Sequence, residues 1–101
     1  MRVMITVVSP NGKFNAAVQD GTAGQKIQAI LEDARPEAVY FTEKDGKRCT
    51  VLVVDIEDPS AIPCLAEPWF LTFDSEVRFS ILMSPEDLAR AGLEELGKKW
   101  A

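Results

Sequence analysis

Arg78 and Ser80 lie two residues apart in a strand-like segment, so their side chains point to the same face. Thr6 in the first apolar segment and Tyr40 in the second share the parity of that face. A guanidinium flanked by hydroxyls on an otherwise apolar surface suits a pocket for a small carboxylate. Alternatively, Arg78 extends to the sheet edge and the hydroxyls pair between strands. We treat all four as candidate ligand-binding residues.

Trp69 is the fifth candidate, because it follows Pro68 and could form a wall at the mouth of a pocket. The alternative is that Trp69 belongs to the core, since aromatic residues at helical spacing are usually packed inside a protein. Glu43 and Glu67 are the acids nearest these segments, and either could act as a base if it were desolvated. The sequence assigns no catalytic residue and leaves open whether the chain is an enzyme.

The chain contains no histidine, the commonest side chain for proton transfer near neutral pH and for metal binding. The two cysteines do not have metal-ligand spacing. Gly21 and Gly24 match neither a P-loop nor a dinucleotide-binding pattern. Asp55, Glu57 and Asp58 could bind a hard cation, but solvated acids at a strand end explain them equally well. We therefore predict no metal and no cofactor.

Length and composition predict one α+β domain over residues 1–101, with 47% apolar and 27% charged residues. The net charge is −5, and the only adjacent basic pairs are Lys47-Arg48 and Lys98-Lys99, with no longer basic cluster, which argues against nucleic-acid binding. The apolar runs are too short to span a membrane, and the N-terminus has no secretory pattern. These features predict a cytoplasmic protein with Cys49 and Cys64 as buried free thiols.

The first half of the chain predicts a strand followed by a long helical segment. Residues 2–8 are rich in β-branched residues and end at a turn. Residues 13–34 have helical spacing, and we favour one continuous or kinked helix. The alternative is a second helix that begins near Thr22, because Gly21 and Gly24 weaken the middle. The Arg35-Pro36 pair ends this segment.

The second half predicts a hairpin, a helix, a strand and a last helix. Asp45-Gly46 separates strands at 38–43 and 48–55, which is a strong hairpin signal. A helix after Ser60 should be kinked or divided at Pro68, and residues 76–83 form a strand. Ser84-Pro85 then starts a terminal helix with Gly97 as a candidate stop. The order is the ferredoxin-like β-α-β-β-α-β arrangement with an extra C-terminal helix.

The predicted strands carry more apolar surface than two helices can cover. One parity set is uniformly apolar: Val3, Ile5, Val7, Val39, Phe41, Val77, Phe79 and Ile81. The opposite set also contains apolar residues: Met4, Val8, Tyr40 and Leu82. Monomers rarely expose a patch of that size, so we predict a homodimer whose sheets face each other. Alternatively, the terminal segment with Leu96 and Trp100 covers this face within one chain.

The sequence resembles a small bacterial family of unknown activity within the dimeric α+β barrel superfamily. Four stretches carry the resemblance: Asp20–Gly24, Pro36–Phe41, Ala66–Phe70 and Met83–Leu88. The resemblance implies a barrel formed by two ferredoxin-like protomers, but it implies no chemistry. We therefore hold two hypotheses. One is a homodimer that binds a small apolar or carboxylate-bearing molecule, with a cofactor-independent enzyme as one form of it. The other is a non-catalytic assembly module.

Overall fold

A computed structural model describes all 101 residues of the chain. The elements in chain order are β1 (Arg2–Ser9), α1 (Asn11–Asp20), α2 (Ala23–Ala34), β2 (Ala38–Lys44), β3 (Lys47–Asp55), α3 (Ala61–Phe73), β4 (Glu76–Ile81), α4 (Pro85–Arg90) and α5 (Leu93–Lys99). The strands form one antiparallel sheet in the order β2-β3-β1-β4. This α+β architecture is compatible with the predicted ferredoxin-like fold.

The core lies between one face of the sheet and helices α1, α2 and α3. Alternate residues of β1 point into it, and they meet aromatic residues from α1 and α3. The rings of Phe14 and Phe73 stack with centroids 4.4 Å apart. The buried cluster contains Val3, Ile5, Val7, Phe14, Ala17, Ile30, Leu52, Val54, Ile56, Trp69 and Phe73. The predicted apolar parity set of the strands therefore faces the helices.

The prediction of one continuous helix over residues 13–34 is wrong, and the two-helix alternative is correct. Gly21 has a φ of 81°, a left-handed conformation that ends α1 and that glycine adopts without steric cost. The backbone N–H of Thr22 donates to the carbonyl of Ala17 and to the carboxylate of Asp20, both at 2.9 Å. These bonds form a turn in which the chain changes direction before α2 begins.

The predicted hairpin is confirmed. Asp45 and Gly46 have φ values of 52° and 78°, the left-handed pair that two-residue hairpin turns require. The N–H of Gly46 also donates to the carboxylate of Glu43 at 2.9 Å, which adds a hydrogen bond to the turn. The hairpin sets the register between β2 and β3, with Tyr40 opposite Val51.

Helix α3 is not divided at Pro68 but runs from Ala61 to Phe73. Trp69 directly follows the proline, Phe73 lies one turn beyond Trp69, and both are buried in the core. Their packing offsets the backbone hydrogen bond that a proline in a helix interior removes. Cys64 on the same helix is exposed, so the prediction of two buried thiols was correct only for Cys49.

The end of the chain differs most from the prediction. β4 ends at Ile81, and the single terminal helix is instead α4 and α5, separated by Gly92 in a left-handed conformation with a φ of 71°. Gly97 lies inside α5 and does not end it. We call residues 82–101 the C-terminal arm. Its two helices contain no buried residue, and α5 does not cover the sheet.

The molecule is elongated because of this arm. Its radius of gyration is 17.1 Å and its longest dimension is 59 Å, against 29 Å and 19 Å in the other two directions. A compact domain of this length would have a radius of gyration of about 13 Å. The arm therefore adds length to the molecule without adding to its core.

Replacing Leu52 by alanine should lower the free energy of unfolding by about 2–5 kcal/mol, because Leu52 is 0% exposed and the change leaves a cavity in the core. Urea unfolding followed by circular dichroism measures this loss. Leu71→Ala is the matched control, since Leu71 is 72% exposed on α3 and its truncation should change stability by less than about 0.5 kcal/mol. Equal losses for the two variants would contradict the assignment of the core.

Candidate functional site

The face of the sheet opposite α1, α2 and α3 is covered by no helix, and we call it the open face. The strand parity places the following residues on its central part: Met4, Thr6, Val8, Tyr40, Thr42, Cys49, Val51, Val53, Arg78 and Ser80. The two central strands, β1 and β3, present mainly apolar side chains, and most of these are half-buried between their neighbours. Polar and aromatic side chains lie on the edge strands.

Four of the open-face residues form one row across the sheet. Arg78 pairs with Thr6, Thr6 pairs with Val51, and Val51 pairs with Tyr40. Neighbouring strands lie about 4.8 Å apart, so the Cα atoms of Arg78 and Tyr40 are separated by about 14 Å. Ser80 lies in the next row, opposite Met4. The structure thus places Arg78 and Ser80 on one edge strand, Thr6 beside them on the central strand β1, and Tyr40 on the other edge strand.

Arg78 carries the only charge in this row, and it forms no ion pair. A small depression of about 100 Å³ lies beside it, at the end of the sheet where the β2–β3 hairpin turns. Its lining residues are Val8, Lys44, Asp45, Lys47, Glu76 and Arg78. Three cations and two acids meet there, so this end of the open face has a small excess of positive charge.

Tyr40 is 68% exposed, which leaves its ring free to contact a partner or a ligand. Tyr40 lies on β2, an edge strand whose outer backbone groups have no strand partner. Thr6, in contrast, is half-buried at the centre of the sheet. The row therefore runs from a charged edge through an apolar centre to an aromatic edge.

Trp69 is the one ligand-binding candidate that does not lie on the open face. Its side chain is 1% exposed, and its ring lies 6.3 Å from that of Phe73 in the core. The sheet separates it from the other four candidates, because α3 packs on the opposite face. The core alternative was correct for this residue. Glu43 and Glu67 are both exposed, so neither has the desolvation that a role as base would require.

The largest cavity, about 570 Å³, lies elsewhere, where the C-terminal arm leaves the sheet. Its lining residues are Met1, Arg2, Asp55, Leu82, Met83, Ser84 and Asp87. Its charges are already paired: the N-terminal amine with Asp55 at 2.8 Å, Arg2 with Glu37 at 2.7 Å, and Asp87 with Arg90. Because paired charges offer a ligand little, we place the candidate site on the open face despite its smaller depression.

The ionisable groups around this cavity have shifted pKa values for local reasons. The N-terminal amine donates a hydrogen bond to Asp55 and lowers the pKa of that carboxyl. The backbone N–H of Ser84 donates to Asp87 at 2.9 Å and lowers its pKa in turn. The carboxylate of Glu37 accepts from Arg2 and raises the pKa of the guanidinium. Each of these hydrogen bonds favours the charged form of its group: the carboxylates of Asp55 and Asp87 and the guanidinium of Arg2.

The sequence did not indicate an apolar groove that lies between α2 and β2 on the helix side of the sheet. It has a volume of about 500 Å³ and is lined by Gly24, Ile27, Gln28, Leu31, Glu32 and Phe41. The apolar spacing assigned Phe41 to the core, yet Phe41 is 60% exposed because α2 does not extend over the edge strand. Parity predicts which face a residue occupies, but not how far a helix covers that face.

Two further findings bear on ligands and membranes. No group of three or more histidine, cysteine or acidic side chains lies close enough together to hold a metal ion. None of the five helices combines the length and apolar character needed to cross a membrane.

Comparison with known proteins finds likeness among solved structures but none among family models or curated proteins. No sequence-family profile and no curated protein matches the chain. Among solved structures, the chain is similar to the de novo designed protein Ferredog-Diesel, with 12% sequence identity and a TM-score of 0.46. That match covers 80% of this chain and 85% of the design. A likeness at this level carries no functional information, so any function must be argued from the geometry of the chain itself.

The carboxyl group of Asp87 should titrate below the ordinary value for aspartate, because the folded cap of α4 binds its charged form. A lowered folded pKa stabilises the cap above the ordinary pKa, and this stabilisation is lost as the pH falls through the lowered value. Carboxyl carbon NMR shifts measured against pH give the midpoint. Ser84→Ala keeps the backbone hydrogen bond to the carboxylate but removes the side-chain one, the second cause of the shift, and should raise the midpoint part of the way towards the ordinary value.

Ser60→Ala is the control for this titration. It removes the hydroxyl that bonds Asp58 in another turn and should leave the midpoint of Asp87 unchanged. An Asp87 midpoint at the ordinary value in the unmodified protein would contradict the capping geometry.

Proposed function

We propose that the chain acts as a homodimer, a dimeric α+β barrel in which two open faces hold a small apolar molecule bearing a carboxylate. The observation that carries this proposal is the row from Arg78 through Thr6 and Val51 to Tyr40, on a face that no helix covers. It combines an unpaired guanidinium, an apolar centre and an exposed aromatic ring. The resemblance to the dimeric barrel superfamily gives independent support.

The case for pairing the open faces rests on their apolar centre. Met4, Val8, Val51 and Val53 lie side by side on β1 and β3, and the arm does not fold over them. A second copy of the chain can cover this centre, because it carries the same apolar surface and is present at the same concentration as the chain itself. A specific interface buries about 800 Å² on each partner, which is comparable with one face of a small four-stranded sheet.

A two-fold axis parallel to the strands would complete the site. Such an axis reverses the strand order, so that β4 of one protomer lies over β2 of its partner. It also keeps each row at the same level, which sets Arg78 of one protomer opposite the partner's Tyr40. Packed sheets lie about 10 Å apart, a gap that an arginine and a tyrosine side chain can reach across from opposite sides. Each dimer would then have two equivalent sites.

In this arrangement each group has a distinct role in binding. Arg78 would bind both carboxylate oxygens of the ligand, because the guanidinium fork matches carboxylate geometry. The hydroxyls of Thr6 and Ser80 would donate hydrogen bonds beside it. The partner's Tyr40 would stack on the apolar part of the ligand. A cofactor-independent reaction would need a proton-transfer group, and the phenol of the partner's Tyr40 is the nearest candidate.

The second candidate function is an assembly module whose open face binds only another copy. The aliphatic centre of β1 and β3 favours it, since that surface would pack without any ligand. In this case Arg78 would extend past the edge of β4 into solvent. Both functions require the dimer, and ligand binding distinguishes them.

Val51→Glu should convert the dimer to a monomer, weakening association by at least about 100-fold. The change places two carboxylates in the centre of a desolvated interface, and like charges there cost several kcal/mol. Sedimentation equilibrium measures the effect directly. Val51→Thr keeps the β-branched shape and should remain dimeric, and Gln19→Glu adds the same charge on the exposed side of α1. A Val51→Glu variant as dimeric as these controls would refute pairing through the open face.

Arg78→Ala should weaken binding of a small aromatic carboxylate such as benzoate by about 10- to 150-fold, the value of one charge-assisted hydrogen-bonded contact. NMR titration of the dimer gives the dissociation constants. Benzamide tests the charge requirement, and Arg90→Ala removes an arginine from the arm as a matched control. Binding that survives Arg78→Ala, or that accepts the amide equally, would contradict the carboxylate site. No binding of any carboxylate would favour the assembly module.

A further inference from the structure

The C-terminal arm carries an apolar stripe that nothing in the chain covers. Leu93, Leu96 and Trp100 follow one another at intervals of three and four residues, so they lie on one side of α5. All three are exposed, and Trp100 is 77% exposed. The arm is nevertheless well formed, because Ser84 and Asp87 make a reciprocal capping box at its start. An ordered helical arm with an uncovered apolar stripe is typical of a segment that docks on another surface.

The α2–β2 groove is a matching surface, since Ile27, Leu31 and Phe41 are only partly covered by their own chain. Gly24 lines the groove at an exposed position of α2. Its backbone is helical, and a Cβ atom added there would meet no other atom within 4 Å. Neither a left-handed conformation nor an internal neighbour therefore requires glycine. A glycine at this point lets a side chain from outside approach the backbone of α2 closely.

The arm of the same chain does not reach this groove. The arm starts at the end of β4, and the groove borders β2, which is the opposite edge strand of the sheet. The 59 Å length of the molecule shows that the arm extends away from the domain. A two-fold axis parallel to the strands changes this relation, because it brings β4 of one protomer next to the partner's β2.

We propose that the two protomers exchange their arms, so that Leu93, Leu96 and Trp100 of each chain pack into the partner's α2–β2 groove. This inference rests on the face-to-face homodimer proposed above. Charge supports the pairing, because Lys99, which forms no ion pair in its own chain, precedes Trp100, and Glu32 lies on the rim of the groove.

Trp100 fluorescence tests the exchange in the full-length protein. The chain has only two tryptophans, and Trp69 is buried in the core, so Trp100→Phe supplies the signal of Trp69 alone. After subtraction, the acrylamide quenching constant of Trp100 should fall at least about threefold as the protein is concentrated from monomer to dimer. Gly24→Leu fills the groove and should keep Trp100 fully quenched in the dimer. Gln25→Leu places the same side chain one residue away on an exposed position as its control.

Mixed dimers show whether the arm docks on its own chain or on the partner. Trp100→Ala lacks the anchor and Gly24→Leu lacks the groove, so each homodimer loses both arm–groove contacts and should associate at least about 30-fold more weakly, the value for loss of a single hot-spot residue. In a mixed dimer, one intact arm meets one intact groove across the interface. Mixing the two variants should therefore restore tighter association, measured by sedimentation. An arm that docked on its own chain would give no gain on mixing and would overturn the exchange.

The failure of this inference differs from the failure of the proposed dimer. A dimer in which Trp100 stays as quenched as in the monomer would overturn the exchange and leave the face-to-face dimer intact. A dimer that survives Val51→Glu would overturn the pairing of open faces and, with it, the geometry from which the exchange is argued. A chain that stays monomeric at all concentrations, with Trp100 exposed, would overturn both.

Discussion

A sheet with apolar side chains on both faces, and helices on only one, is the constraint on which the rest of this structure depends. Strand β1 shows it directly. Its inward residues Val3, Ile5 and Val7 are at most 2% exposed, whereas Met4 and Val8 on the other face are half-buried against neighbouring strands alone. Three helices are already needed to cover the first face. The apolar surface on the second face must be covered from outside the domain or remain in water at a cost in solubility.

The distribution of functional groups follows from the same sheet. The central strands supply only apolar side chains and Thr6 to the open face, and the groups capable of recognition lie on the two edges. One protomer therefore holds Arg78 and Tyr40 about 14 Å apart, too far for both to contact one small molecule. A site built from both edges exists only where an edge of one copy meets the opposite edge of another. Ligand binding by this site therefore depends on assembly of two copies.

The sequence predicted the strands and the hairpin well because their signals are local. Alternation with a period of two assigns each strand residue to a face, and Asp45-Gly46 sets the β2–β3 register that places Tyr40 opposite Val51. The placement of four of the five candidate residues on one face is thus a consequence of parity, whereas the pairing of Arg78 with Thr6 depends on the β1–β4 register. Trp69 was assigned by proximity to a proline, which carries no information about the side of the sheet on which it lies.

The helices were predicted less well, because a glycine in a helical pattern has two outcomes. Gly21 and Gly92 adopt left-handed conformations and end helices, whereas Gly24 and Gly97 lie inside them. The residue type is the same in all four cases. The difference arises from nearby hydrogen bonds, such as those that the N–H of Thr22 makes after Gly21. The course of the arm after Gly92 likewise depends on contacts that the residue pattern does not specify.

One symmetry operation links the remaining uncovered surfaces of the chain. Pairing the open faces about an axis parallel to the strands brings β4 against the partner's β2. The same contact then sets Arg78 opposite the partner's Tyr40. It also places the start of the arm beside the partner's β2, the strand that borders the groove. An axis perpendicular to the strands would place β4 over β4 and would leave the arms, the grooves and the unpaired guanidinium without complements. The strand order β2-β3-β1-β4, together with the positions of these groups on the edge strands, therefore favours the parallel axis. In the proposed dimer, the arm would span the distance from its own β4 to the partner's α2–β2 groove.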